Sequence, residues 1–151
     1  MKIELFDAEY LNIVELNITG DNENYIKGDS ESKYLESTVF NLFANCFEKA
    51  NKLYEFFGAT KYNSRNIVPL RNELKNKLEL MNKIESFEMF VDFIDSIFLG
   101  ADFLEELNYD DKDWKKNWNK YFVLLTNVVN NIIVLIEKCI EEQKTLWVIG
   151  Y

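Results

Sequence analysis

Histidine is absent from the 151-residue chain. Its absence excludes Ser-His-Asp and Cys-His nucleophile systems, histidine zinc sites and the Glu-x-x-His motif of di-iron bundles. No GxGxxG or GxxxxGK[ST] segment occurs either, so the usual glycine-rich phosphate loops are missing. Because no recognised catalytic motif is present, we expect a protein that is not an enzyme and uses no cofactor.

Residues that break helices are scarce, since the chain has one proline and five glycines. This scarcity favours long helices over many short strands. The two cysteines, Cys46 and Cys139, each fall on the apolar side of a predicted helix. We expect both to be buried free thiols in a reducing compartment.

Long hydrophobic runs are also missing. The N-terminal segment MKIELFDAEY contains acids and no apolar run, so it does not resemble a signal peptide. The longest charge-free run, Tyr121 to Ile136, is shorter than the roughly 20 residues that a membrane span needs. We therefore expect a cytoplasmic protein without a membrane partner.

The apolar residues that are present recur mostly at steps of three and four, the period of an amphipathic helix. The pattern predicts a mainly α fold: a single domain, residues 1–151, built as a bundle of long helices. The helices are expected at about 31–57, 69–99 and 111–143, and residues 69–99 could equally form two helices broken near Ser86. Short strands are expected at 2–6 and 11–18, and a C-terminal strand at 145–149 could pair with them.

Negative charge is concentrated rather than spread evenly. The net charge is −9, and residues 85–113 hold ten acids and one base, whereas residues 61–83 hold six bases and two acids. On a helical wheel the carboxylates of Glu85, Glu88, Asp92 and Asp95 occupy one arc, opposite apolar residues that include Phe87 and Phe98. Asp102 and Glu106 continue the acidity along the chain.

Three interpretations of these carboxylates remain open. They could form a solvated face balanced by Lys75, Lys77 or Lys83, a surface that attracts a basic protein partner, or a divalent-metal site in a small helical enzyme or metal-binding protein. A net charge of −9 would repel nucleic acid. The hypothesis of a basic partner assigns the principal contacts to the carboxylates, with one aromatic anchor: Glu85, Glu88, Asp92, Asp95, Asp102, Glu106 and Tyr109.

A small, acidic, single-domain chain with no export signal and no catalytic motif resembles the immunity proteins of bacterial toxin–immunity systems, including those of contact-dependent growth inhibition. The resemblance is one of type and extends over the whole chain, and it does not depend on a motif such as ESFEMFVDFID or KTLWVIGY. It implies a stoichiometric inhibitor that binds a basic cognate toxin domain, in many cases a nuclease, and blocks its active site. It implies no catalytic residue in this chain.

Overall fold

The computed structural model describes residues 1–7 and 12–150 and shows an α+β fold, with a four-stranded antiparallel sheet and six helices in that part of the chain. The expected mainly α bundle of long helices is wrong, because helices account for 49% of the chain and strands for 13%. The elements, in chain order, are β1 (Ile13–Asn17), β2 (Lys33–Glu36), α1 (Ser37–Asn41), α2 (Ala44–Ala50), β3 (Ala59–Tyr62), α3 (Ile67–Met81), α4 (Phe87–Asp95), α5 (Gly100–Asp110), α6 (Trp118–Glu141) and β4 (Leu146–Gly150).

The strands are arranged in the order β2-β1-β4-β3, so the two central strands come from opposite ends of the chain. In the β1–β4 pair, Val14 is opposite Gly150 and Asn17 is opposite Trp147. The predicted C-terminal strand and its pairing with an N-terminal strand are therefore confirmed. The strand expected at 11–18 is found as β1, although Leu11 lies outside the described residues.

The strand expected at 2–6 is wrong. Of these residues only Phe6 makes a ladder contact, an isolated bridge to Tyr34 in which each backbone N–H donates to the other residue's carbonyl at 2.8–3.0 Å. The alternating apolar residues of KIELF thus pack against the protein without forming a strand. The Phe6 side chain is buried with Ile13 and Tyr34.

The sheet is buried on both faces, since all five residues of β1 are buried. Val14 and Leu16 belong to the main core, which they share with residues of the helices. The opposite face is covered by the segment 20–31, which we call the covering loop. Its Tyr25 ring lies 4.7 Å from the Trp147 ring, and the Trp147 indole N–H donates to the Asp21 carbonyl at 2.8 Å.

The single helix predicted at 31–57 is wrong, because the apolar residues of this segment lie in three different environments: a strand, a short helix and an exposed segment. Leu35 belongs to strand β2, and Phe47 is buried in the short helix α2. The backbone then turns extended at Asn51, which ends the helix. Beyond it, Leu53 and Phe57 are 81% and 80% exposed.

The helix predicted at 69–99 is two helices, α3 and α4, as the alternative interpretation allowed. Ser86 caps α4, since its hydroxyl oxygen accepts the Met89 backbone N–H at 3.2 Å. Leu99 ends the segment in a left-handed conformation, with φ of +67°, and α5 begins at the next residue. Residues 101–107, which fall between the predicted helices 69–99 and 111–143, lie within α5.

The long C-terminal helix α6 lies within the predicted range 111–143 and packs mainly against α3. Its apolar face is buried, including Leu125, Val128 and Ile132. Cys139 on α6 and Cys46 on α2 are buried free thiols, as expected. Burial raises the pKa of each thiol to about 11, so neither is a thiolate at neutral pH.

Candidate functional site: the acidic edge of helices α4 and α5

Helix α4 presents its carboxylates outward because its other side is firmly seated. Phe90 and Ile94 are fully buried, one turn apart, and the Phe90 ring lies 5.8 Å from the Trp118 ring of α6. The opposite face carries Glu88, Asp92 and, one turn on, Asp95, all exposed. These spacings of three and four residues therefore place the apolar contacts on the side of α4 that packs against α6 and the negative charges on the side that faces solvent.

Helix α5 repeats the arrangement beside α4, with which it is in contact. Phe103 and Leu107 are buried, while Asp102 and Glu105 are exposed on one face. Glu85, just before the Ser86 cap, is exposed as well. We call the six exposed carboxylates of this region the acidic edge: Glu85, Glu88, Asp92, Asp95, Asp102 and Glu105.

No carboxylate of the acidic edge forms an ion pair with any residue in the described part of the chain. None of the three lysines that could have balanced α4 pairs with its carboxylates in this part of the chain. Lys75 pairs with Glu137 of α6 at 2.8 Å, and the Lys77 ammonium lies 5.3 Å from the centre of the Phe93 ring. Lys83 is exposed and has no ion-pair partner among residues 1–7 and 12–150. The internal charge balance considered from the sequence is therefore not found there.

The remaining acids of residues 85–113 are bound within the protein, which divides the acidic segment into two parts. Asp110 pairs with the N-terminal ammonium group of Met1, and Asp113 pairs with Lys116 at 2.8 Å. Asp111 accepts the Tyr121 hydroxyl at 2.6 Å, a contact that holds the Asp111 pKa below its usual value and raises the pKa of Tyr121 to about 12. The acids of residues 110–113 thus have partners within the protein, whereas those of the acidic edge have no ion-pair partner in the part of the chain that the structure describes.

Two of the predicted contact residues differ in their surroundings from the rest. Glu106 is half-buried and accepts the Thr38 hydroxyl of α1 at 2.6 Å, so it helps to join α5 to α1. Tyr109, the predicted aromatic anchor, is 81% exposed, with the Lys112 ammonium 5.8 Å from its ring centre. Glu106 is therefore less available to a partner than Glu105, which the sequence analysis did not select.

Phe98 is the residue whose surroundings the helical wheel predicted least well. The wheel placed it with the apolar side of α4, yet it is 87% exposed. It follows Ser96, the C-cap of α4, and therefore no longer shares the helical periodicity. A prediction of the helix end at Asp95 would have removed Phe98 from the core and placed an exposed aromatic ring next to the acidic edge.

The metal interpretation finds no assembled ligand set. Within residues 1–7 and 12–150, no group of three or more Cys, Asp or Glu side chains lies close enough together to hold a metal ion.

Helix α6 is long and apolar enough to cross a membrane by length and composition alone. Core helices of soluble proteins pass the same test, and nine residues of α6 are buried in this fold.

No family model, no curated protein and no solved structure matches this chain.

Proposed function

We propose that this chain is an acidic binding protein, most consistent with an immunity protein that binds and blocks a basic toxin domain. The supporting observation is the acidic edge, six exposed carboxylates with no ion pair in the described part of the chain. Charges in such an arrangement steer an oppositely charged partner and can raise its association rate by roughly 10–10³. The resemblance to immunity proteins agrees with this chemistry and supplies the toxin as the partner.

The proposal places the protein in the cytoplasm and assigns it neither catalysis nor a nucleic-acid or membrane partner. A net charge of −9 opposes binding to phosphate backbones and to anionic lipid surfaces. The principal contacts are Glu85, Glu88, Asp92, Asp95 and Asp102, joined by the newly found Glu105. Tyr109 offers an exposed ring beside them, and Glu106 contributes mainly by holding α5 in place.

The first test is to identify the partner. The chain should be captured with its bound partner from the native cell, and the partner should be a basic protein whose co-expression with this chain restores growth. The most informative candidate is the product of the adjacent reading frame. A partner with an acidic contact domain, or a basic partner whose toxicity the chain does not relieve, would contradict the proposal.

The second test measures association kinetics with that purified partner. Glu88→Lys combined with Asp92→Lys should slow association about tenfold at low salt, and the difference should shrink as ionic strength rises. The matched control combines Glu79→Lys with Glu141→Lys, two exposed acids on α3 and α6 that lie outside the acidic edge. Both double variants change the net charge by the same amount, so only a local contribution separates them. Equal slowing by both would remove the acidic edge from the binding site.

A further inference from the structure

Two cavities lie side by side where α1, α2, the segment 56–58 and the end of α4 meet. Their volumes are about 160 and 230 Å³, and both are lined by Asn41 and Phe56. Phe57 lines the first cavity, and Phe98 and Leu99 line the second. We call this surface the aromatic groove: Asn41, Phe56, Phe57, Phe98 and Leu99.

The backbone holds the rings of the aromatic groove away from the core. Phe57 is 80% exposed and Phe98 is 87% exposed. At one end, the Gly150 N–H donates to the Gly58 carbonyl at 2.9 Å, and a β-carbon at Gly150 would lie 2.1 Å from the Phe56 carbonyl oxygen. At the other end, Leu99 has a left-handed φ of +67°. The exposure of the two rings therefore results from fixed backbone geometry at both ends.

The polar groups of the aromatic groove suit a cationic donor. The side-chain oxygen of Asn41 is shielded from solvent and has no hydrogen-bond partner among the described residues. Among the described residues, Glu48 is the one charged residue that lines either cavity, and Ser96 in the lining is next to Asp95 of the acidic edge. An arginine or lysine side chain would satisfy the acceptors, and its cation could also stack on the exposed rings. A carboxylate there would be repelled by Glu48 and would find no cation among the described lining residues.

We infer that the aromatic groove binds one segment of the basic partner, an apolar side chain flanked by arginine or lysine. This inference rests on the proposed function and assigns the two surfaces different roles. The acidic edge governs the rate of encounter, and the aromatic groove provides the desolvated contacts that slow dissociation.

The inference can be tested without the partner, by titrating the ¹⁵N-labelled protein with the peptide acetyl-Arg-Trp-Arg-amide. Saturable shifts should be confined to amides around Asn41, Phe56 and Phe98. Acetyl-Glu-Trp-Glu-amide should bind at least fivefold more weakly. Phe98→Ser should weaken binding of the basic peptide at least fivefold, whereas Val134→Ser, which also replaces an exposed apolar side chain but on α6, should leave it unchanged. Shifts located elsewhere, or equal binding of the acidic peptide, would overturn the inference.

Two further measurements separate this inference from its premise. With the purified partner, Phe98→Ser should raise the dissociation rate at least tenfold and leave the association rate unchanged. Glu88→Lys with Asp92→Lys should slow association and leave the dissociation rate unchanged. An effect of the charge variant alone would reject the groove and keep the proposed function; an effect of Phe98→Ser alone would reject the acidic edge. Concentration-dependent dimerisation that Phe98→Ser abolishes would assign the groove to a second copy of the chain and overturn the inference.

Discussion

Glu15 and Glu88 carry the same side chain in opposite surroundings. Glu15 lies on the central strand β1 with no exposed surface, and its carboxylate accepts the Gly28 backbone N–H at 3.0–3.1 Å, the Ser32 hydroxyl at 2.6 Å and the Asn17 amide at 3.3 Å. Glu88 is exposed on α4. A buried carboxylate requires donors supplied by the protein, whereas an exposed one leaves its acceptors to water or to a partner. The donors around each acid therefore separate a structural role from a binding role.

The largest effect is expected from removing the support beneath the acidic edge. Phe90→Ala should destabilise the protein by about 4 kcal/mol, because it deletes a fully buried ring that packs against Trp118 and Phe122. Urea unfolding measures the change. Phe98→Ala is the control and should alter stability by less than about 0.5 kcal/mol, since Phe98 is 87% exposed. Similar losses for the two variants would show that α4 is not seated through Phe90.

The next effect tests the buried carboxylate. Glu15→Ala should cost about 3 kcal/mol, because it leaves the Ser32 hydroxyl and the Gly28 backbone N–H without their acceptor. The same substitution at Glu88 should cost less than about 0.5 kcal/mol. Both values come from denaturant unfolding monitored by circular dichroism. A loss below about 1 kcal/mol for Glu15→Ala would mean that the covering loop is held by its aromatic contacts instead.

A smaller effect is expected from the hydrogen bond between Tyr121 and Asp111, one of the internally bound acids. Tyr121→Phe removes the hydrogen bond to Asp111 and should lower the melting temperature by about 3 °C at pH 7. The Asp111 pKa is lowered in the folded protein, so its contribution is complete above about pH 4 and is lost on acidification. The Tyr121 pKa is raised to about 12, so its contribution is complete below about pH 10 and is lost as the pH rises towards 12.

Melting curves recorded from pH 2 to pH 12 would detect the loss of stability at low pH and at high pH. The Phe variant should lose less stability than the wild-type protein at each extreme. Parallel pH profiles for the two proteins would show that the contact between Asp111 and Tyr121 makes no pH-dependent contribution.

The smallest effect has the opposite sign. Asp95→Lys should stabilise the protein by about 0.5 kcal/mol, because it removes a like-charge pair with Asp92 and places a cation in the last turn of α4. Differential scanning calorimetry measures the gain, and Asp95→Asn should give about half of it. The same variant should bind the basic partner more weakly, so Asp95 would favour binding at the expense of stability. A destabilised Asp95→Lys protein would indicate that the acidic edge has internal partners after all.

Elements specified by local pattern were predictable, and elements specified by distant pairing were not. Helices α3 and α6 and strands β1 and β4 follow from periodicity and end signals within each segment. Strand β2 escaped detection because Leu35 fits a helical seam locally, and its assignment depends on pairing with β1 across the sheet. Likewise, β3 falls between the helices predicted at 31–57 and 69–99, because only pairing with β4 makes residues 59–62 a strand.

The position of the acidic edge could be predicted because charge and helical phase are both visible in a single segment. Its separation from the internally bound acids could not be predicted, because the partners of Asp110 and Asp111 are the chain's N-terminus and Tyr121. The aromatic groove was equally hidden. It requires Phe56 and Phe98, which are far apart in sequence, and the left-handed backbone at Leu99, where the sequence shows no glycine.

The three tryptophans lie in two separate regions of the molecule, so tryptophan fluorescence can report on each region separately. Trp147 contacts the covering loop through Tyr25 and Asp21, whereas Trp114 and Trp118 lie against Phe87 and Phe90 beneath the acidic edge. A protein carrying Trp114→Phe and Trp118→Phe would emit only from the loop side, and one carrying Trp147→Phe only from the helical side. Fluorescence of this pair can therefore tell whether a bound partner disturbs the helices alone or loosens the far side of the sheet as well.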